Sequence, residues 1–213
     1  DTLAGNLANT SVELRTAADT AGAGNIHVNA AVAWNANTTL TLSAHGNINI
    51  NAPITATGAS AGLVLNHGGY VQNGPNAVAA GSDYSVNAPV TLSGAGSTFA
   101  INGQSYRLIH SPADVSTYLN APGYYALAQD IDLGGPTRSS ALISSFNSRL
   151  AGLGHSINNL TISGASGYVG LFGTTSSSSV IRDLHLGNVS IAGGYYVGGL
   201  VGYGQGTIKN VTV

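Results

Sequence analysis

The sequence predicts an all-β chain, a right-handed parallel β-helix (solenoid), and three observations carry that expectation. Only 7% of its 213 residues are charged, while 43% are hydrophobic; an average soluble domain is about a quarter charged. Short apolar runs, many alternating with period two, recur between Gly-, Asn- and Pro-containing clusters, as strands and turns do. The runs also repeat at spacings near 22 to 28 residues. A unit of that length holds two or three short strands and cannot bury its own apolar face, so neighbouring units must stack. No helix signal falls inside the units, which excludes leucine-rich and helical arrays.

Along residues 1–98, Gly24-Asn25-Ile26-His27-Val28-Asn29-Ala30-Ala31-Val32 matches Gly46-Asn47-Ile48-Asn49-Ile50-Asn51-Ala52-Pro53-Ile54, offset by 22. Tyr84–Leu92 repeats the motif 36 residues later. A second strand type intervenes at Ser11–Leu14, Thr39–Leu42 and Gly62–Leu65. Stacking predicts Val28 over Ile50, Val32 over Ile54 and Ala30 over Ala52 inside, with Asn29 and Asn51 forming an amide ladder at a corner. Columns of like charge at a rung spacing of about 4.8 Å would repel, which accounts for the scarcity of charge.

Residues 99–150 depart from the repeat. Strands are expected around Phe99–Ile101, Tyr106–Ile109, Tyr124–Leu127 and Ile131–Leu133. Between them, Ser111-Pro112-Ala113-Asp114 reads as a helix start, with Ser at the cap, Pro first and an acid third. The expected short helix, near 112–119, ends before Ala121-Pro122-Gly123 and decorates the coil. Over 151–213, Ile157–Ile162, Ile181–Leu186 and Ile208–Val213 share one pattern at offsets of 24 and 27. Tyr168-Val169-Gly170-Leu171-Phe172-Gly173 recurs as Tyr196-Val197-Gly198-Gly199-Leu200-Val201-Gly202. The three stretches are expected to form one continuous solenoid. The first residue is not Met and Ile208–Val213 reads as a strand without a closing turn, so a fragment of a longer polypeptide is expected.

Composition removes several classes. With no Cys, disulfide scaffolds and Cys-based metal or redox sites drop out. Six Lys and Arg against eight Asp and Glu leave no basic footprint for nucleic acid. The longest apolar run, near Ala30–Trp34, is far short of the ~20 residues that cross a bilayer, so no membrane insertion is expected, and no signal peptide is visible.

The residues Tyr125–Leu133, Leu153–Ile162 and Tyr168–Gly173, in that order, resemble filamentous-haemagglutinin-like exoproteins, the secreted partners of bacterial two-partner secretion systems. Val197–Gly202 is similar to their Gly-Leu-rich (GLUG) repeat, and the Gly-Asn-Ile-x-Val/Ile-Asn-Ala units are similar to their rod repeats. The resemblance implies export of the parent protein through an outer-membrane transporter and a secreted or cell-surface location. It also implies adhesion to host cells, matrix or other bacteria through a glycan or protein receptor, as in virulence. Two features depart from the family. Its Asn-Pro-Asn-Gly secretion motif is not recognisable, and Leu150-Ala151-Gly152-Leu153-Gly154-His155 lacks the Asp of Phe-Asp-Gly-Leu-Gly-His. The chain therefore reads as an internal or C-terminal segment.

Candidate chemistry is sparse. Asp130 and Asp132, two apart on one strand face, are where a polysaccharide-binding or polysaccharide-cleaving β-helix would hold calcium or place acid and base. No clustered basic residues accompany them, and the expectation is no enzyme, no catalytic residue and no cofactor. His45 and His67 lie one 22-residue period apart, but two His make an incomplete site, so no metal is expected. Asn9, Asn37, Asn159, Asn188 and Asn210 head Asn-x-Ser/Thr acceptor sequons, frequent by chance in so Asn- and Thr-rich a chain. Tyr168, Tyr195, Tyr196 and Tyr203, beside Gly, are candidate carbohydrate-stacking rings, or else pack the late coils.

Overall fold

The computed structural model describes residues 2–17, 22–70 and 78–213. The chain forms two compact units, Asp1–Leu108 and Ile109–Val213. Both are built chiefly of short strands in parallel sheets, so the all-β expectation holds.

The first unit begins with a helix the sequence reading did not anticipate, α1 (Thr2–Leu7), whose Leu7 is fully buried. Three sets of strands follow: β1 (Val12–Arg15), β2 (Ile26–Val28) and β3 (Val32–Trp34); β4 (Thr39–Ser43), β5 (Ile48–Ile50) and β6 (Ile54–Ala56); β7 (Gly62–Asn66), β8 (Tyr84–Val86) and β9 (Val90–Leu92). Every third strand pairs in parallel: β4 lies between β1 and β7, β5 between β2 and β8, and β6 between β3 and β9. The register stacks like on like, as expected. Ile50 sits between Val28 and Val86, and Ile54 between Val32 and Val90. Leu40 lies beside Leu63, and both are sealed from solvent. A fully buried Leu contributes about 1.5–3 kcal/mol, so these columns are the source of the unit's stability.

The asparagine ladder is present. Asn51 Nδ2 donates to Asn29 Oδ1 and Asn87 Nδ2 to Asn51 Oδ1, both at 2.8 Å. Ala30 and Ala52 correct the expectation: Ala30 is exposed and Ala52 half-buried. Strand alternation stops at the corner between consecutive strands, so counting in twos across it places these alanines on the wrong side.

Beyond them β10 (Thr98–Ile101) extends the β7 edge in parallel, then reverses into β11 (Gln104–Ile109). Asn102 and Gly103 carry φ of 45° and 75°, the left-handed pair a two-residue hairpin turn demands.

The second unit opens with α2 (Pro112–Tyr118), the expected helix. Asp114 N–H donates to Ser111 Oγ, while Asp114 Oδ2 accepts the His110 N–H, a reciprocal cap. Its strands are β12 (Tyr124–Leu127), β13 (Ile131–Asp132), β14 (Ile143–Phe146), β15 (Arg149–Ala151), β16 (Ser156–Asn158), β17 (Thr161–Ala165), β18 (Phe172–Thr175), β19 (Val180–Gly187), β20 (Ser190–Gly193), β21 (Val201–Gly204) and β22 (Thr207–Thr212). Parallel pairs join β12, β15, β19 and β22, then β13, β16 and β19, then β14, β18 and β21, and β17 with β20. The core includes the column Tyr125, Leu150, Ile181 and the Phe146–Phe172 ring pair at 4.4 Å.

One repeat alignment is corrected here. Ile181 does stack on Ile208, 27 residues on, but Ile157 pairs with Leu186 rather than Ile181. The reason is conformational. Asn159, Asp183, Asn188 and Asn210 all adopt φ between 51° and 61°, a left-handed state that Asn and Asp tolerate better than other side chains. The pattern apolar–polar–Asn/Asp–apolar thus marks two different corners, and pattern alone does not distinguish them.

Candidate functional site

Two stretches of the second unit bring the predicted tyrosines together. Val169 and Val197 form an isolated parallel bridge, with Val169 N–H donating to Tyr196 O and Gly198 N–H to Val169 O, each at 3.0 Å. This sets Tyr168 beside Tyr196, ring centroids 4.9 Å apart. Tyr203, on β21 opposite Thr174, closes the cluster at 5.5 Å from Tyr168 and 6.0 Å from Tyr196. Glycine makes this approach possible. A methyl at Gly202 would lie 2.5 Å from Val169 N and 2.6 Å from Tyr196 O. Tyr195 stands outside the triad. All four rings remain exposed, from 45% for Tyr168 to 75% for Tyr195.

Tyr196 carries φ of 51°, a left-handed backbone that is an outlier for so bulky a residue. Such conformations cost about 1–3 kcal/mol and concentrate at functional sites. The triad therefore offers clustered aromatic faces edged by phenol hydroxyls, suited to stacking on the C–H faces of uncharged sugars while bonding their hydroxyls.

Asp130 and Asp132 are each hydrogen-bonded to a separate set of partners. Asp130 Oδ1 accepts the Ser156 N–H at 2.7 Å and lies 3.2 Å from Nδ1 of buried His155. Partial burial pulls the Asp130 carboxyl up, but the Ser156 hydrogen bonds and the His155 ring outweigh it and hold it below the ordinary range. Asp132 Oδ1 accepts from Asn159 Nδ2 and Gly134 N–H, both at 2.8 Å, and these bonds lower its pKa. A general acid working near neutral pH needs the opposite shift. Asn188 Nδ2 donates in turn to Asn159 Oδ1 at 3.2 Å, so Asp132 starts a second side-chain ladder.

His67 is held by Asn102 and Ser82 at 3.2 and 3.3 Å. His45 lines an open hollow of about 230 Å³ with Arg15, Thr16, Gly69 and Tyr70. Among the described residues no three His, Asp or Glu gather as metal ligands would. The sequon asparagines are engaged in hydrogen bonds within the fold. Asn159, Asn188 and Asn210 occupy left-handed corners and their amides donate to Asp132, Asn159 and Asp183. Asn9 donates to Gly5 O, and Asn37 Oδ1 accepts the Ser60 N–H.

Two groups escaped the sequence reading. Asp183 is buried, with Oδ2 2.8 Å from Arg182 Nε and Oδ1 accepting from Asn210 Nδ2 at 2.9 Å. A further polar column runs His27, Asn49, Ser85. Its signal was a polar residue recurring at the paired offset.

No family model matches the chain, and no solved structure matches it. It is 35% identical over 119 residues to halomucin of Haloquadratum walsbyi, a match covering 53% of this chain and 1% of the relative. The chain thus spans only a very small part of that protein.

Proposed function

We propose that this chain is a structural and adhesive segment of a large secreted or cell-surface protein, built as a right-handed parallel β-helix like the rods of filamentous-haemagglutinin-like exoproteins. The observation that carries the reading is register: every third strand of the first unit pairs in parallel with like residues aligned. Parallel crossovers are right-handed in about 98% of cases. The likeness to halomucin supports a surface or secreted setting. Export of the parent protein through an outer-membrane transporter belongs to the same proposal. The role is mechanical and multivalent, with no catalytic step and no cofactor: repeats display binding surface away from the cell.

The architecture is tested by removing residues 46–67, one whole repeat. His45 then precedes Gly68 just as it precedes Gly46 in the intact chain. A β-helix closes up by one rung and keeps a cooperative β-sheet transition in circular dichroism. Loss of that transition overturns the reading.

The receptor surface in this proposal is the Tyr168, Tyr196 and Tyr203 cluster, and its partner is an uncharged surface glycan. That observation also favours the binding half of a second reading, a polysaccharide-binding module. Glycan-array binding of the intact chain, lost in Tyr168→Ala and Tyr203→Ala, supports the assignment. Tyr196→Gly separates binding from packing: it relieves the left-handed strain, so stability stays within about 1 kcal/mol while glycan retention falls. No binding by the intact chain, or unchanged binding in all three variants, sinks it. Turnover of a bound polysaccharide, abolished by Asp130→Ala with Asp132→Ala, would establish cleavage instead.

A further inference from the structure

We infer that the hollow beside Arg15, His45 and Tyr70 in the first unit binds a single sugar acid, its carboxylate on the Arg15 guanidinium and its ring against Tyr70. The ligand differs in chemical class from the one proposed for the tyrosine cluster, and the inference does not rest on the adhesive reading.

The hollow forms where β1 and β4 end. Arg15 pairs with Ser43, and Ser43 with Asn66. Past the strand ends, Thr16 N–H donates to Ser43 O at 2.9 Å and Gly69 N–H to Ala44 O at 3.1 Å. Ser43 and Ala44, both buried, line the space together with Arg15, His45 and Tyr70. Its volume of about 230 Å³ falls below the roughly 300–1,000 Å³ of sites for drug-sized ligands, so it suits one small molecule.

The positive charge is held in place by a chain of polar side chains across three strands. Asn66 Nδ2 donates to Ser43 Oγ at 3.2 Å, and Ser43 Oγ to Glu13 Oε1 at 2.8 Å. Arg15 Nη2 donates to the same carboxylate oxygen at 2.8 Å. Hydrogen bonds from Ser43 and Arg15 hold the Glu13 carboxyl below the ordinary range, so this anchor stays ionised. Among the described residues the bond to Glu13 is the one side-chain bond of Arg15, which leaves most of its five N–H donors open. No carboxylate lines the hollow, and a planar fork with open donors selects a carboxylate. Glu13 offsets part of the charge, so a carboxylate alone is held weakly and a ring contact must add to it.

His45 and Tyr70 supply that contact. His67 stands one repeat after His45, and its ring is bonded by Asn102 and Ser82. The His45 ring has no hydrogen-bond partner among the described residues, although Thr16 Oγ1 accepts its backbone N–H at 3.1 Å. A neutral imidazole offers one donor and one acceptor, a combination that a sugar hydroxyl satisfies. Tyr70 is half-buried, and a methyl on Gly103 would lie 2.0 Å from its hydroxyl oxygen. The hairpin turn thus braces the ring, which offers apolar surface to the C–H groups of a sugar.

The test titrates the intact protein with galacturonate, galactose and acetate, following the His45 ring and Arg15 Nε resonances by NMR. Galacturonate is expected to shift both saturably. Galactose, lacking the carboxylate, and acetate, lacking the ring, should each bind roughly tenfold more weakly or worse. Arg15→Gln should lower galacturonate affinity by roughly tenfold or more, and His45→Ala should lower it by less. Both side chains are exposed, so an unchanged urea midpoint separates lost binding from lost fold. No saturable shift with galacturonate overturns the proposal. Equal affinity for acetate marks an adventitious ion only, and equal affinity for galactose removes the carboxylate; either overturns it. Unchanged affinity in Arg15→Gln, or shifts at Tyr168 and Tyr203 instead, places the sugar elsewhere and overturns it as well. None of these outcomes decides the neutral-glycan assignment of the tyrosine cluster, which its own variants test.

Discussion

Columns of identical side chains make charge costly, and the Asn29–Asn51–Asn87 ladder allows that cost to be measured. The perturbation is Asn51→Asp with Asn87→Asp, singly and together. In the ladder Asn87 donates to Asn51, and Asn51 to Asn29. Each single variant keeps an acceptor and loses a donor, worth about 1 kcal/mol for a typical hydrogen bond. The pair adds a term that neither single variant has. Two carboxylates about 4.8 Å apart, the spacing of adjacent strands, repel by about 1 kcal/mol at the dielectric of water and about 3.5 kcal/mol at an effective value of 20. All three asparagines are exposed, so a coupling of about 1–2 kcal/mol is expected. Urea unfolding of the four members of the cycle, followed by circular dichroism, measures it. At 1 M salt the screening length falls to about 3 Å and the coupling shrinks. Repulsion raises the folded-state pKa of the carboxyl pair above its unfolded value. The penalty is therefore absent below the carboxyl range and grows as pH rises through the folded pKa. Asn51→Asp with Asn87→Lys must reverse the sign. A coupling of zero at low salt would refute the claim that stacking sets the charge content of this chain.

Other expectations follow from single contacts. Asp130 has a lowered folded pKa, so its contribution is present above the unfolded carboxyl value and lost as pH falls through the folded one; Asp130→Asn should flatten the acid limb of a stability–pH profile. Gly58→Ala places a methyl 2.2 Å from Ala36 O and should cost about 1–3 kcal/mol, the range for overpacking, read as a lower urea midpoint. Phe172→Ala removes a fully buried ring stacked on Phe146. About 3–5 kcal/mol is expected, enough to threaten the second unit's fold, while Phe172→Leu should retain a cooperative thermal transition.

How much was legible depended on how unique each pattern was. Val28, Ile50 and Val86 announced their pairing because the Asn that follows recurs in all three copies, and the preceding Gly-Asn in the first two. The cap at Ser111 was readable because its residues satisfy one another locally. Ile157 was misaligned because the same apolar–polar–Asn/Asp pattern, with a left-handed third residue, stands at Asn159, just past the end of β16, and at Asp183, within β19. The Asn102-Gly103 turn carries a strong hairpin signal, unused because a parallel repeat leads one to expect no reversal. The four candidate tyrosines were visible, but their grouping was not. Three of them meet only because β18 and β21 pair and Gly202 admits the chain, facts that depend on register between distant segments.

A stacked architecture rewards each position for matching its neighbour one repeat away, so departures from the repeat need another cause. Among the described residues, seven non-glycine residues have left-handed φ. Five are Asn or Asp, which suit that state, and Leu153 is fully buried, so packing accounts for it. Tyr196 has neither excuse: its ring is bulky and 60% exposed. The second copy of its motif also carries an extra residue, Gly198-Gly199 in place of Gly170, yet Phe172 still pairs with Val201. The inserted residue is absorbed between Val197 and Val201, next to the strained tyrosine. Stability alone would favour Gly or Asn at position 196. The proposed glycan contact would account for a tyrosine held there at a conformational cost, and on that proposal the aromatic triad, rather than the hydrogen-bonded acids at Asp130 and Asp132, is the surface to test.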